Sequence, residues 1–113
     1  YDIAHGAGLA IVFPAWMKYA TRQFPKKIAQ FAVDVFDVPS DFGTEAQIAL
    51  EGIRRLEAFY QSLHMPIRLS EAGIVDCDYA ALASRALPTE ESAVGEYIKL
   101  HRQDMVEIYK LAE

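Results

Sequence analysis

Four segments of the chain place their apolar residues at helical spacing, with polar residues between. In residues 25–37, Ile28, Phe31, Ala32, Val35 and Phe36 fall on one face, and Pro25 stands where a first-turn proline is tolerated. Thr44 followed by Gln47 makes a capping box, which predicts a helix start. Behind it Ala49, Ile53, Leu56, Tyr60 and Leu63 form one long stripe, with Arg54, Glu57 and Gln61 on the opposite face. Pro66 predicts the end of that helix, because the residue before a proline resists helical backbone angles. The run RLSEAGI reads as a loop with a short turn closed by Gly73. Asp76 is the candidate cap of a helix through Tyr79, Leu82, Ala83 and Ala86, ended by Pro88. A last helix, about 102–112, carries Met105, Ile108, Tyr109 and Ala112 on one face.

The first segment is ambiguous. LAIVF, residues 9–13, would pass as a buried strand, since a short apolar run does not reveal its period. As a helix it sets Leu9, Val12, Phe13 and Trp16 on one side and Ala10 and Ile11 on the other. Pro14 would then remove a hydrogen bond to the residue 10 carbonyl and kink the helix. No second strand-like run exists to pair with it, so a helix buried on most sides is the better choice. The pattern therefore predicts an all-α chain with helices near 4–21, 25–37, 44–63, 77–86 and 102–112, and no sheet. A helix this apolar wants neighbours on more sides than four companions easily supply. Together with Tyr1 in place of an initiator methionine, that predicts a piece of a larger protein.

Composition narrows the function classes. A chain of 113 residues makes one domain at most, long enough to bury a core. A net charge of −5, with no basic cluster denser than the Lys26-Lys27 pair, argues against a nucleic-acid partner. The single cysteine, Cys77, can form no internal disulfide and offers no zinc-knuckle spacing, so it is expected as a passive thiol in a reducing compartment. No apolar run reaches the length of a membrane span, and the first twenty residues lack a basic leader region. A cytoplasmic location without a membrane partner is the expectation.

The chemistry-bearing residues are few. Histidines stand at 5, 64 and 101, none three or four residues from another, and no phosphate loop, G-x-S-x-G, G-x-G-x-x-G or H-E-x-x-H motif is present. His64 fits the polar end of a helix, and His101 fits a cap. His5 precedes Gly6-Ala7-Gly8, small residues that pack closely or admit a neighbouring group. Asp2 and His5, three apart, could face one ion on a helical turn. Two ligands do not hold a catalytic metal, which takes three or more protein groups. A small metal-binding protein would need Asp2, His5 and a distant carboxylate such as Glu45 or Asp104. A free-standing helical interaction module, docking a partner through its apolar first helix, is the other alternative.

The stretch YDIAHGAGLAIVFPAWMKY resembles the signature of the iron-containing, metal-dependent alcohol dehydrogenases, particularly the butanol dehydrogenase branch. MPIRLSEAGI is similar to that family's G-M-P-x-x-L-S-E-x-G-I segment, and the closing DMVEIYKLA continues the likeness, so three segments in order span the chain. The resemblance implies the C-terminal part, residues 1–113, of an all-helical domain that holds one divalent ion, iron or zinc. It also implies a separate N-terminal α/β domain that binds NAD(P)H, a small alcohol or aldehyde substrate, and a possible homo-oligomer. The family's ion sits on one aspartate and three histidines; only the last of these has a counterpart here, His5. No catalytic and no nucleotide-binding residue is matched, so the segment alone is expected to be inactive. His64 stands where the family pattern has glycine, and His101 matches no ligand; neither inherits a role.

Overall fold

Helix-forming stretches and their stops follow the chain in the predicted order. The computed structural model describes residues 5–75, 77–86 and 100–113, and for His5, Arg85 and Ala86 the backbone only. Helix α1 spans His5–Thr21, α2 Pro25–Phe36, α3 Glu45–Ser62, α4 Tyr79–Ala86 and α5 Arg102–Leu111, with a 3-10 turn over Ser70–Ala72. Among the described residues there is no strand, and LAIVF lies inside α1. Pro25 opens α2 in its first turn. The capping box at α3 is closed in both directions: the Gln47 N–H donates to Thr44 Oγ1 at 3.2 Å, and Gln47 Oε1 accepts from the Thr44 N–H at 2.9 Å. His101 caps α5, its N–H donating to Asp104 Oδ2 at 2.7 Å.

One cap differs from expectation. Helix α4 starts at Tyr79 rather than at 77, and Asp78 caps it, accepting from the Ala81 N–H at 3.1 Å. Asp76 lies outside the described residues, as do Asp2, Ala4 and Pro88. The Asp78 carboxylate lies three residues before the N–H it accepts, the geometry that a capping aspartate needs.

Two apolar cores form. The first joins Met17 and Ala20 of α1 to Ile28, Ala29 and Ala32 of α2 and Ile48, Ala49, Ile53 and Leu56 of α3. The second joins Ile11 and Ala15 of α1 to Leu69, Ile74, Leu100, Ile108 and Ala112. Trp16, partly buried, packs against both. The buried side of α1 is thus the one bearing Ala10, Ile11, Pro14, Ala15 and Met17, while Leu9 is 50% and Phe13 40% exposed. The expected burial on most sides is not realised within the described residues: α1 meets α2, α3 and α5, and its Leu9–Phe13 edge meets solvent.

Polar links fix how α1 lies. The Lys18 ammonium sits 3.2 Å from the Glu57 carboxylate of α3. At the other flank the Tyr19 hydroxyl donates to Asp104 of α5. That hydrogen bond, with burial, pushes the Tyr19 phenol up to about 12. On α3, Glu51 accepts from Arg54 and Arg55, and these hydrogen bonds hold its carboxyl down at about 2. Arg55 also donates to the Phe36 carbonyl at 2.7 Å, tying the end of α2 to α3.

The closest helix approach is at Gly52. A Cβ there would lie 2.3 Å from the Ala32 Cβ and 2.9 Å from the Ala32 Cα, so the backbones of α2 and α3 meet with no room between. Gly52→Ala should lower stability by about 2 kcal/mol, the usual scale of overpacking, despite alanine's better helix propensity. Chemical denaturation measures it, and an unchanged midpoint would refute the close crossing. Glu51 yields a pH dependence. Its carboxyl titrates near 2 when folded against 4.5 otherwise, so its contribution is whole above about pH 4.5 and is lost as pH falls through 2. Stability curves of wild type and Glu51→Gln, separated at neutral pH, should converge on acidification across that window.

Candidate metal centre at the start of helix α1

His5 is the first residue of α1, followed directly by Gly6. Its position is set by what holds α1 further along, since the two cores grip the helix from Ile11 to Ala20. A Cβ on Gly6 would lie 3.6 Å from the Met65 Cε, so the ε-methyl of Met65 occupies the space in front of Gly6.

Met65 is itself placed by the way α3 ends. The His64 N–H donates to the Gln61 carbonyl at 2.9 Å, and the Met65 N–H reaches back to the Tyr60 carbonyl at 3.0 Å. This paired pattern is a Schellman motif, and it requires a left-handed residue at position 64. His64 supplies it at φ 60°, a conformation that favours glycine. Histidine therefore stands at the one position of this turn where glycine would relieve strain. Pro66 then prevents the helix from resuming.

The two carboxylates weighed as partners for His5 lie elsewhere. Asp104 is hydrogen-bonded to Tyr19, which stands about 21 Å beyond His5 along α1 at about 1.5 Å per residue. Glu45 begins α3, whose opposite end carries Met65. With α3 about 27 Å long, Glu45 lies at the far end of the bundle. Neither can share an ion with His5, so the small metal-binding protein using them is excluded. Among the described residues no three His, Cys, Asp or Glu side chains come together as a metal site. His64 is exposed, and His101 is half-exposed beside Asp104, at the distant end of α1. Cys77 is a free, partly buried thiol.

The donor chemistry nevertheless fits one position of a divalent-metal shell. A neutral imidazole suits Fe(II) or Zn(II). It is carried on the first residue of a helix whose body is fixed by two cores, and its neighbour Gly6 adds no side chain of its own. The remaining ligands are not supplied by any described group near it. Met65 was not legible as a neighbour of this helix start: its signal was the M-P pair after a helical stripe, which marks a helix end and not what that end lies beside. Among the described residues no helix is long and apolar enough to cross a membrane.

Residues 1–112 match the Fe-containing alcohol dehydrogenase family, C-terminal, and the chain belongs to that family. It is 40% identical over 110 residues to the probable NADH-dependent butanol dehydrogenase 1 of Bacillus subtilis (strain 168), covering 97% of this chain and 28% of that protein. It is 30% identical over 111 residues to NADH-dependent butanol dehydrogenase A of Clostridium acetobutylicum, again covering 97% of this chain and 28% of the relative. The crystal structure of NADH-dependent butanol dehydrogenase A from Thermotoga maritima superposes with a TM-score of 0.83 at 37% identity, over 99% of this chain and 29% of that one. The chain thus spans less than a third of the length of these relatives, and it has the all-helical fold of the corresponding region.

The turn at position 64 is directly testable. His64→Gly should raise stability by about 1 kcal/mol, because glycine adopts the left-handed region without the steric cost a side chain meets there. Equilibrium unfolding reads the gain; a loss of stability would mean that the His64 side chain contributes more than its backbone strain costs.

Proposed function

We propose that this chain is the C-terminal part of the helical, metal-binding domain of an NADH-dependent alcohol dehydrogenase of the butanol dehydrogenase type, interconverting a small alcohol and its aldehyde. The observation that carries this is the family match across residues 1–112, together with His5, the residue of the family's histidine signature, at the head of the core-anchored helix α1. Both relatives are named as NADH-dependent, which supports that nicotinamide over NADPH.

In this role His5 holds one coordination position of a divalent ion, iron or zinc. When bound, the ion supplies Lewis-acid polarisation of the alcohol oxygen, and the nicotinamide carries the hydride. The chain's own residues do the positioning. The two cores fix the axis of α1, the neighbouring Gly6 keeps the first turn narrow, and the Leu9–Phe13 edge presents apolar surface one and two turns along from His5. Phe13 stacks on Trp16 with ring centroids 6.1 Å apart, which stiffens that edge. An apolar wall beside the reacting centre keeps water away from hydride transfer. The other ligands and the nucleotide-binding domain come from the remainder of the enzyme, which also covers that edge.

His5→Ala in the complete enzyme tests the assignment. Metal retention should fall and turnover drop by at least about 100-fold, as for loss of a group that organises a catalytic metal, while NADH binding stays near wild type. The 113-residue segment alone, lacking both the ligand set and the nucleotide site, should turn over no alcohol. Metal analysis with kcat on the variant decides it: retained metal with wild-type turnover rejects His5 as a ligand.

A further inference from the structure

We infer that Leu9 is a specificity-determining residue: it lines the subsite for the alkyl chain of a straight-chain primary alcohol, and Phe13 closes that subsite at its far end. This rests on the proposed function and deepens it by naming the substrate class. Residues four apart share a helix face, so Leu9 and Phe13 follow the His5 position by one and two turns, about 6 and 12 Å along the axis. Between His5 and Leu9 stand only Gly6, Ala7 and Gly8. Leu9 is therefore the first side chain longer than a methyl group after the proposed ligand. Side chains on a helix lean toward its N-terminus, so Leu9 covers the turn that begins at His5, and Phe13 covers the turn that begins at Leu9.

Exposure sets this edge apart from the rest of the helix. Ala10, Ile11, Pro14, Ala15 and Met17 are buried, whereas Leu9 and Phe13 keep 50% and 40% of their surface exposed. The edge is nonetheless held firmly. Both cores grip α1 from Ile11 onward, and Phe13 stacks on Trp16, which packs against each of them. A fixed apolar surface beside a polar reacting centre suits a substrate that is polar at one end and aliphatic along the rest. Neither leucine nor phenylalanine offers a hydrogen bond, so a polyol would leave hydroxyls unpaired against them. Each methylene gained or lost in such a pocket changes selectivity by about 10-fold or more, and a bulkier wall shortens the chain that fits.

The test uses the complete enzyme with Leu9→Ala and Leu9→Phe, and with Val35→Ala, an exposed position on α2, as control. Primary alcohols from ethanol to octanol are compared by kcat/KM. Their binding to the enzyme–NADH complex, which cannot react because both partners are reduced, is read by NADH fluorescence. Leu9→Ala should raise the octanol-to-butanol ratio of kcat/KM by about 10-fold or more, and octanol should bind the NADH complex more tightly. Leu9→Phe should shift both readouts toward ethanol. Metal content and the KM for NADH should stay near wild type in both, and Val35→Ala should leave the profile unchanged. If Leu9→Ala does not fold, Leu9→Val carries the same comparison. Unchanged ratios in the Leu9 variants overturn the subsite. Activity lost equally at every chain length overturns it too, and marks Leu9 as a packing contact with the rest of the enzyme. Either result leaves His5 as ligand, which metal content in His5→Ala decides separately; retained metal there overturns the reading on which the subsite stands.

Discussion

The grip on helix α1 is the constraint from which the rest of the structure follows. Its middle and C-terminal turns serve two cores at once: Ile11 and Ala15 face the loop and α5, while Met17 and Ala20 face α2 and α3. Trp16 lies where the two meet. One helix in two cores cannot slide or rotate without disturbing both, because side chains packed at native density give way only at a cost of kilocalories. The polar links at its far end, Lys18 to Glu57 and Tyr19 to Asp104, set its rotation as well. What this leaves less constrained is its beginning, where the proposed ligand sits.

That division explains the distribution of small residues. Gly52 and Ala32 let α2 and α3 come together closely enough to form one wall of the first core. Gly6 does something different, leaving space that a neighbouring methionine fills. The same residue type thus serves a helix crossing in one place and an open helix start in another. Only the surroundings tell them apart.

Much of the fold was legible in the sequence because its signals are local. The Thr44–Gln47 box, Pro25, Pro66 and the turn closed by Gly73 each act within a few residues, and each is found in its expected place. The cap of α4 was misplaced, since Asp76 and Asp78 are equally able to cap and only the path of the chain chooses between them. The two sides of α1 were equally apolar on paper; which side faces the cores depends on partners distant in sequence, and so Leu9 and Phe13 were expected to be buried. Gly52 carried no signal at all, because a glycine within a helical stripe gives no hint of the helix that will cross it. For the site, the histidine could be found from its motif, whereas its surroundings could not. Met65 and Gly6 are brought together by the antiparallel lie of α1 and α3, which no spacing along the chain reveals.

The two cores also differ in how far apart in sequence their members stand. The first draws on residues between Met17 and Tyr60, through helices joined by short connections. The second must bring Ile11 to Ile108 and Ala112, across nearly the whole chain. Loop-closure entropy rises with the length of chain enclosed, so contacts of the first kind are reached sooner than those of the second. Folding of this segment therefore has a natural order: α2, α3 and the end of α1 assemble as an early unit, and the beginning of α1 is drawn into register only when α5 arrives. The turn that carries the proposed metal ligand lies ahead of Ile11, so its place in the bundle follows from contacts made at both ends of the sequence.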